Sequence, residues 1–314
     1  GTAVGRSALV ANTDGEANTA VGAFTLDANT TGDFNTACGQ GALTVATTAS
    51  NNTAVGRGSL HLTTTGADNT AVGKDALNSN TTGEKNTAIG QSCLYSNTTA
   101  NKNVAVGHRS LQLSTTGADN TGVGTLSLAV NTTGHNNVAL GQNALGANTT
   151  GANNVTVGSS AGAGVTTGSG NTILGSLNSS GTYVPVFSVT TEDNRLVLGH
   201  TGITNAYIKV AFTVTSDKRD KIEDGVVSHG LDFVNKLKPK SFWFRKNRES
   251  EEKTGDKRYG FFAQDILALE GSDAVVIDNN DPENLKYKGE QLIPILVKAI
   301  QELTMEVNKL KSNG

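Results

Sequence analysis

The sequence predicts a mainly β chain: a parallel β-solenoid or β-roll of 17-residue coils over residues 1–178, a short β stem over 179–215, and an α+β domain over 216–314 that ends in a coiled-coil helix. Three observations predict it. Asn recurs at 18, 35, 52, 69, 86, 103, 120, 137, 154 and 171 with no insertion or deletion, so each block stacks on the one before it, since a slipped residue would break every contact downstream. Composition breaks at Ser216: residues 1–175 carry 14 charged side chains, no Pro and three aromatics, whereas the 99 residues from Ser216 hold 35 charged side chains and three of the four prolines. The last stretch places Ile293, Leu296, Ile300, Leu303, Val307 and Leu310 at heptad spacing.

Each block opens on a run such as Asn69-Thr70-Ala71-Val72-Gly73. The residue before the Gly is always apolar, and the one two places earlier is Thr or Val, so both share one face of a short strand. Leu stands at the ninth position from Leu9 to Leu145. These columns are expected to point inward, two or three apolar groups per coil, a thin core that only stacking completes. The Ala column (Ala20, Ala37, Ala54, Ala71, Ala88) faces the other way, either as a seam where another chain approaches or as a fit to a tight bend. Asn-Thr-Thr-Gly stretches such as Asn80–Gly83 are turns. Gly, Asn and Thr at this density exclude a pair of helices per repeat.

The repeats are poor in catalytic patterns. Their acidic residues fall mostly at block edges, which argues against the paired carboxylates of a glycosidase. His61, His108 and His135 occupy three different block positions, so no metal site is expected. No cofactor is expected either. Recurrent Thr-Thr pairs keep an ice-binding surface as a minor alternative. Cys38 stands in the Val column and is expected to be a buried small hydrophobe. At about 4.8 Å per layer, it lies too far from Cys93 for a disulfide. A net charge of −3 with no basic, aromatic-interleaved patch argues against nucleic acid. No apolar run is long enough for membrane insertion. The chain opens on Gly1 in mid-repeat, so an upstream part is expected.

Past the repeats, residues 183–189, 195–199 and 207–212 read as strands of the stem. Then Ser216-Asp217-Lys218-Arg219-Asp220-Lys221 sets a Ser five residues before a Lys, a pair that can act as nucleophile and base when the Lys is desolvated. Taken alone it reads as a solvated charged turn. Downstream follow Leu237-Lys238-Pro239, Tyr259-Gly260-Phe261-Phe262-Ala263-Gln264-Asp265, and Leu285-Lys286-Tyr287-Lys288-Gly289-Glu290 running into the heptads. With the Ser216 segment these resemble the endosialidase-type intramolecular chaperone family across 216–314. The repeats resemble the Asn-x-x-Ile-Gly head repeats of trimeric adhesins, and still more the Asn-Thr-Ala-Val-Gly repeats of phage tail fibres.

The chaperone resemblance implies a homotrimer-forming module that cuts itself off once the fibre has folded, an autoproteolytic Ser/Lys endopeptidase with no external substrate. Ser216 is the implied nucleophile, Lys221 the base, and Thr215–Ser216 the cut bond. Asp217 and Arg219 are the implied positioning residues, and Gly260, Gln264 and Tyr287 the chaperone motif. After the Lys the chain departs from the family pattern, with Lys221-Ile222-Glu223-Asp224. Ile or Val at a and Leu at d by itself favours a dimer, so trimerisation comes from the resemblance. The implied setting is a virion tail fibre with a host receptor or glycan as outside partner. A bacterial surface or secreted adhesin with the same module is the alternative.

Overall fold

The computed structural model describes residues 1–203, 216, 218–245, 248–271, 274–280, 282–283 and 285–313. The chain divides into two compact units, the first ending at Ile203. In that unit a three-residue strand recurs every 17 residues, from β1 (Thr2–Val4) and β2 (Thr19–Val21) to β11 (Thr172–Leu174), and β12 (Leu196–Leu198) follows. The twelve strands form one parallel sheet in sequence order. Equivalent residues pair across it, as Thr70 with Thr87, Ala71 with Ala88 and Val72 with Ile89. The expected solenoid of 17-residue coils is therefore present.

The faces of its strands are reversed from expectation. Ala20, Ala37, Ala54, Ala71, Ala88 and Ala105 are fully buried, whereas Val72 is 36% and Ile89 42% exposed. Cys38, in the Val column, is correspondingly exposed, and Cys93 is the buried thiol, pushed up to about 12 by desolvation. The reason is space. Leu26, Leu43, Leu60, Leu77 and Leu94 fill the coil interior at no exposure, leaving methyl-sized room beside them. Where Ser110 and Ser127 intrude, the Ala column drops to Gly122, whose added Cβ would lie 2.7 Å from Ser110 Oγ. Where the column enlarges to Thr156, the ninth-position Leu is replaced by Gly162, whose Cβ would lie 2.9 Å from Thr156 Cγ2. Ala is thus neither seam nor bend filler, but core.

The inward Leu residues adopt left-handed backbone, as at Leu60 (φ 51°) and Leu94 (φ 49°). That conformation costs about 1–2 kcal/mol per residue, and full burial of a Leu side chain, worth about 1.5–3 kcal/mol, offsets it. The block glycine is required by stacking: a Cβ on Gly73 (φ +136°) would lie 2.5 Å from Gly90 O.

The block Asn, read from sequence only as a register mark, is buried and bonds coil to coil. Asn52 Oδ1 accepts from Asn69 N at 3.0 Å, and Asn52 Nδ2 donates to Gly66 O at 3.0 Å. The same pair of bonds recurs along the shaft, for example at Asn120 and Asn137. A second ladder runs through Thr30, Thr64, Thr81 and Thr98, whose hydroxyls donate to the carbonyl 17 residues on.

A third row, at the twelfth block position, is interrupted. Asn97 Nδ2 donates to Asn80 Oδ1 at 2.8 Å, and Asn148 Nδ2 to Asn131 Oδ1 at 2.9 Å. Asn29 Oδ1 is buried without a partner because the next coil holds Ala46. Ala46→Asn would supply the missing donor and is expected to raise stability by about 1 kcal/mol in urea unfolding. Ala46→Val, with bulk but no donor, should give no gain.

Between β11 and β12 the repeat lengthens to 24 residues, yet the ladder continues, with Arg195 N donating to Asn171 Oδ1. Of the strands expected in the stem, 195–199 contains β12 and joins the solenoid sheet. Residues 183–189 form isolated bridges, Leu177 to Tyr183 and Pro185 to His200, and not a strand. The expected strand 207–212 lies outside the described residues.

In the second unit α1 (Leu231–Lys236) precedes an antiparallel pair, β13 (Lys240–Arg245) and β14 (Lys253–Gly260). Then come α2 (Ala263–Glu270), a short pair β15 (Ile277–Asp278) and β16 (Lys286–Tyr287), and α3 (Leu292–Ser312). Phe233, Ile266, Val276, Ile277, Leu292 and Ile295 form the core. No helix among the described residues is long and apolar enough to cross a membrane.

Candidate active site

A 3-10 turn at Lys218–Asp220, closed by Lys221 N donating to Lys218 O at 3.2 Å, reverses the chain just after Ser216. The reversal brings the two expected catalytic residues together: Lys221 Nζ donates to Ser216 Oγ at 2.5 Å. As a neutral amine the same nitrogen would instead accept the Ser216 proton and leave Oγ a nucleophile. Both residues are exposed. So are the neighbouring Ile222 (98%) and Val226 (91%), apolar side chains left open among the described residues. Arg219 is exposed beside the pair, and Thr215 and Asp217 lie outside the described residues.

The rest of the unit braces α3. Glu302 accepts from Leu231 N at 2.7 Å, satisfying an otherwise open donor at the start of α1. Lys298 holds Glu302 at 3.6 Å and donates to Val227 O at 2.6 Å. The Glu270 carboxylate accepts three successive backbone donors, Val275, Val276 and Ile277, at 2.9, 2.6 and 3.0 Å. Neither carboxylate was singled out from sequence, where each is one acidic residue among many in a charged segment.

Of the expected motif, Gly260 ends β14 where a Cβ would press Phe242 at 3.1 Å. Gln264 is exposed in the first turn of α2, and Tyr287 on β16 lies 6.1 Å from the Phe261 ring. The heptad residues Ile293, Leu296, Ile300, Leu303, Val307 and Leu310 are all exposed, while Leu292, Ile295 and Ala299, on the stripe beside them, are buried in the domain. Among the described residues no group of His, Cys, Asp and Glu could hold a metal ion.

Residues 216–276 match the family model described as chaperone of endosialidase, peptidase S74. No curated protein and no solved structure matches the chain. The match starts at the candidate nucleophile and includes Lys221, Gly260 and Gln264, while Tyr287 and α3 follow it. A parallel β-solenoid is thus joined in one chain to a segment similar to the chaperone of endosialidase family.

Proposed function

We propose that the chain is a fibre segment of a phage tail fibre, whose C-terminal unit aligns three copies, lets the shaft fold and then releases itself at Thr215–Ser216. The observation that carries this reading is the 2.5 Å contact of Lys221 Nζ with Ser216 Oγ at the first residue of the matched segment. In the cut, Ser216 Oγ bonds to the Thr215 carbonyl carbon as the C–N bond breaks. The hydroxyl proton passes through Lys221 to the leaving Ser216 nitrogen, and water then hydrolyses the Thr215 ester. A neutral Lys needs shelter from water. The exposure of Ser216, Lys221 and Ile222 in a single chain supports partner copies as that shelter, making cleavage conditional on assembly.

Two uncovered apolar rows support association: the Val column of the shaft and the heptad row of α3. Coils that repeat every 17 residues offer many wrong registers between chains. Joining the C-termini first removes that ambiguity and raises the effective concentration of the shafts. A bacterial surface adhesin would use the same device. Ice binding is less well supported, since the Thr ladder spends its hydroxyls on neighbouring coils.

Expression followed by mass and sedimentation analysis tests the proposal. The expected result is a trimeric shaft ending at Thr215 and a separate 216–314 fragment. An uncut wild-type chain, or a monomer, would overturn it. Ile300→Asp with Leu303→Asp should prevent assembly and cleavage while leaving helix content unchanged, because the inward residues of α3 are untouched.

A further inference from the structure

One stretch of the shaft is hollowed. The seventh position of each of the first ten coils is left-handed, and it carries a side chain at Phe24 (φ 59°), Asp75 (φ 56°), Ser92 (φ 57°) and Asn143 (φ 54°). Two successive coils place Gly41 and Gly58 there instead, at φ +67° and +66°. The two missing side chains open a cavity of about 340 Å³, with Phe24 in the coil before and Asp75 in the coil after. A Cβ on Gly58 would lie 2.7 Å from Asp75 Oδ1, so the glycine keeps that carboxylate clear.

The walls are held in place by backbone. Thr44 Oγ1 donates to Phe24 O at 3.1 Å, His61 Nδ1 meets Gly41 O at 3.0 Å, and Asn78 Nδ2 donates to Gly58 O at 2.9 Å. A carbonyl only accepts, so His61 carries its hydrogen on Nδ1, and in the neutral ring Nε2 is an acceptor. Asn78 keeps its Oδ1. Asp27, Gln40 and Arg57 complete the lining. The Arg6 guanidinium, one coil earlier, sits 4.3 Å from the Phe24 ring centroid. The cavity lies in the coils that follow, and Arg6 is not part of its lining.

We infer that this cavity is a binding site for a neutral saccharide. An aromatic ring provides an apolar platform, while carboxylate, amide and imidazole acceptors beside a guanidinium donor suit hydroxyls that both donate and accept. Asp27 and Asp75 oppose Arg57, and Lys74 is 3.7 Å from Asp75, so no surplus positive charge is available for an anionic ligand. The volume is at the small end of the roughly 300–1,000 Å³ typical of ligand pockets, which suits one or two sugar rings. Side chains already fixed by backbone carbonyls lose little freedom on binding. This deepens the attachment reading above and rests on it for its biological use.

The test uses the full chain in saturation-transfer NMR and calorimetry with glucose, galactose, mannose, N-acetylglucosamine, maltose and lactose, and sialic acid as the anionic comparator. At least one neutral sugar is expected to bind and sialic acid is not. Phe24→Ala should weaken binding at least tenfold. Gly41→Asn should abolish it with the unfolding midpoint unchanged, since Asn143 already adopts the required backbone. No neutral sugar bound, sialic acid alone bound, or binding that survives both variants would overturn the inference. An assembled, cut fibre that binds no sugar counts against this site alone. A sugar-binding chain that neither assembles nor cuts counts against the fibre reading alone.

Discussion

Ser216→Ala is expected to leave the chain in one piece, with the cleavage rate down by at least about a thousandfold. Mass spectrometry would find the intact chain where the wild type gives two fragments parting at Thr215. Lys221→Arg should fail as fully, because a guanidinium stays protonated and cannot take the Ser216 proton. Lys221→Met removes the base but keeps the stem, and it is expected to match Arg. All three variants should still form trimers, because the heptad row of α3 is unchanged. A cut Ser216→Ala chain would show that another residue is the nucleophile. A variant that is uncut and also monomeric would show that the substitution damaged folding, and the Lys221 variants would then decide the matter.

The second large effect is expected in the Asn ladder. Asn52→Ala removes the acceptor of Asn69 N and the donor to Gly66 O, both buried. Each orphaned group costs about 1–3 kcal/mol, so a loss of about 2–6 kcal/mol is expected in urea unfolding. Thr65→Ala, at an exposed position of the same coil, should change stability by less than about 0.5 kcal/mol. Because each coil contacts only its neighbours, hydrogen exchange should quicken first in the coils around residue 52. A uniform change along the shaft would contradict a ladder that acts coil by coil.

The two effects draw on different kinds of information. The Ser216–Lys221 pair was legible through the resemblance that the downstream motifs carry, since taken alone it reads as a solvated charged turn; one 3-10 turn across five residues then brings the groups together. The clamps of Glu302 on Leu231 and Glu270 on Val275–Ile277 were not legible. Glu302 acts across 71 residues, and both look in the sequence like any acid on a charged helix. The saccharide cavity was hidden likewise. Gly41 and Gly58 lie 17 residues apart and carry no chemistry of their own; only stacking sets them side by side.

The sequence by itself determined the period, and with it the parallel stack and the inward Leu column, because a 17-residue repeat without indels can satisfy its neighbours in only one register. It also determined where the chain changes character, at Ser216. Alternation along a three-residue strand tells which residues share a face and not which face is inside. Only the tertiary structure decided that, turning Val outward and Ala inward, because a coil this narrow, already filled by Leu and the bonded Asn, has room for a methyl group and no more.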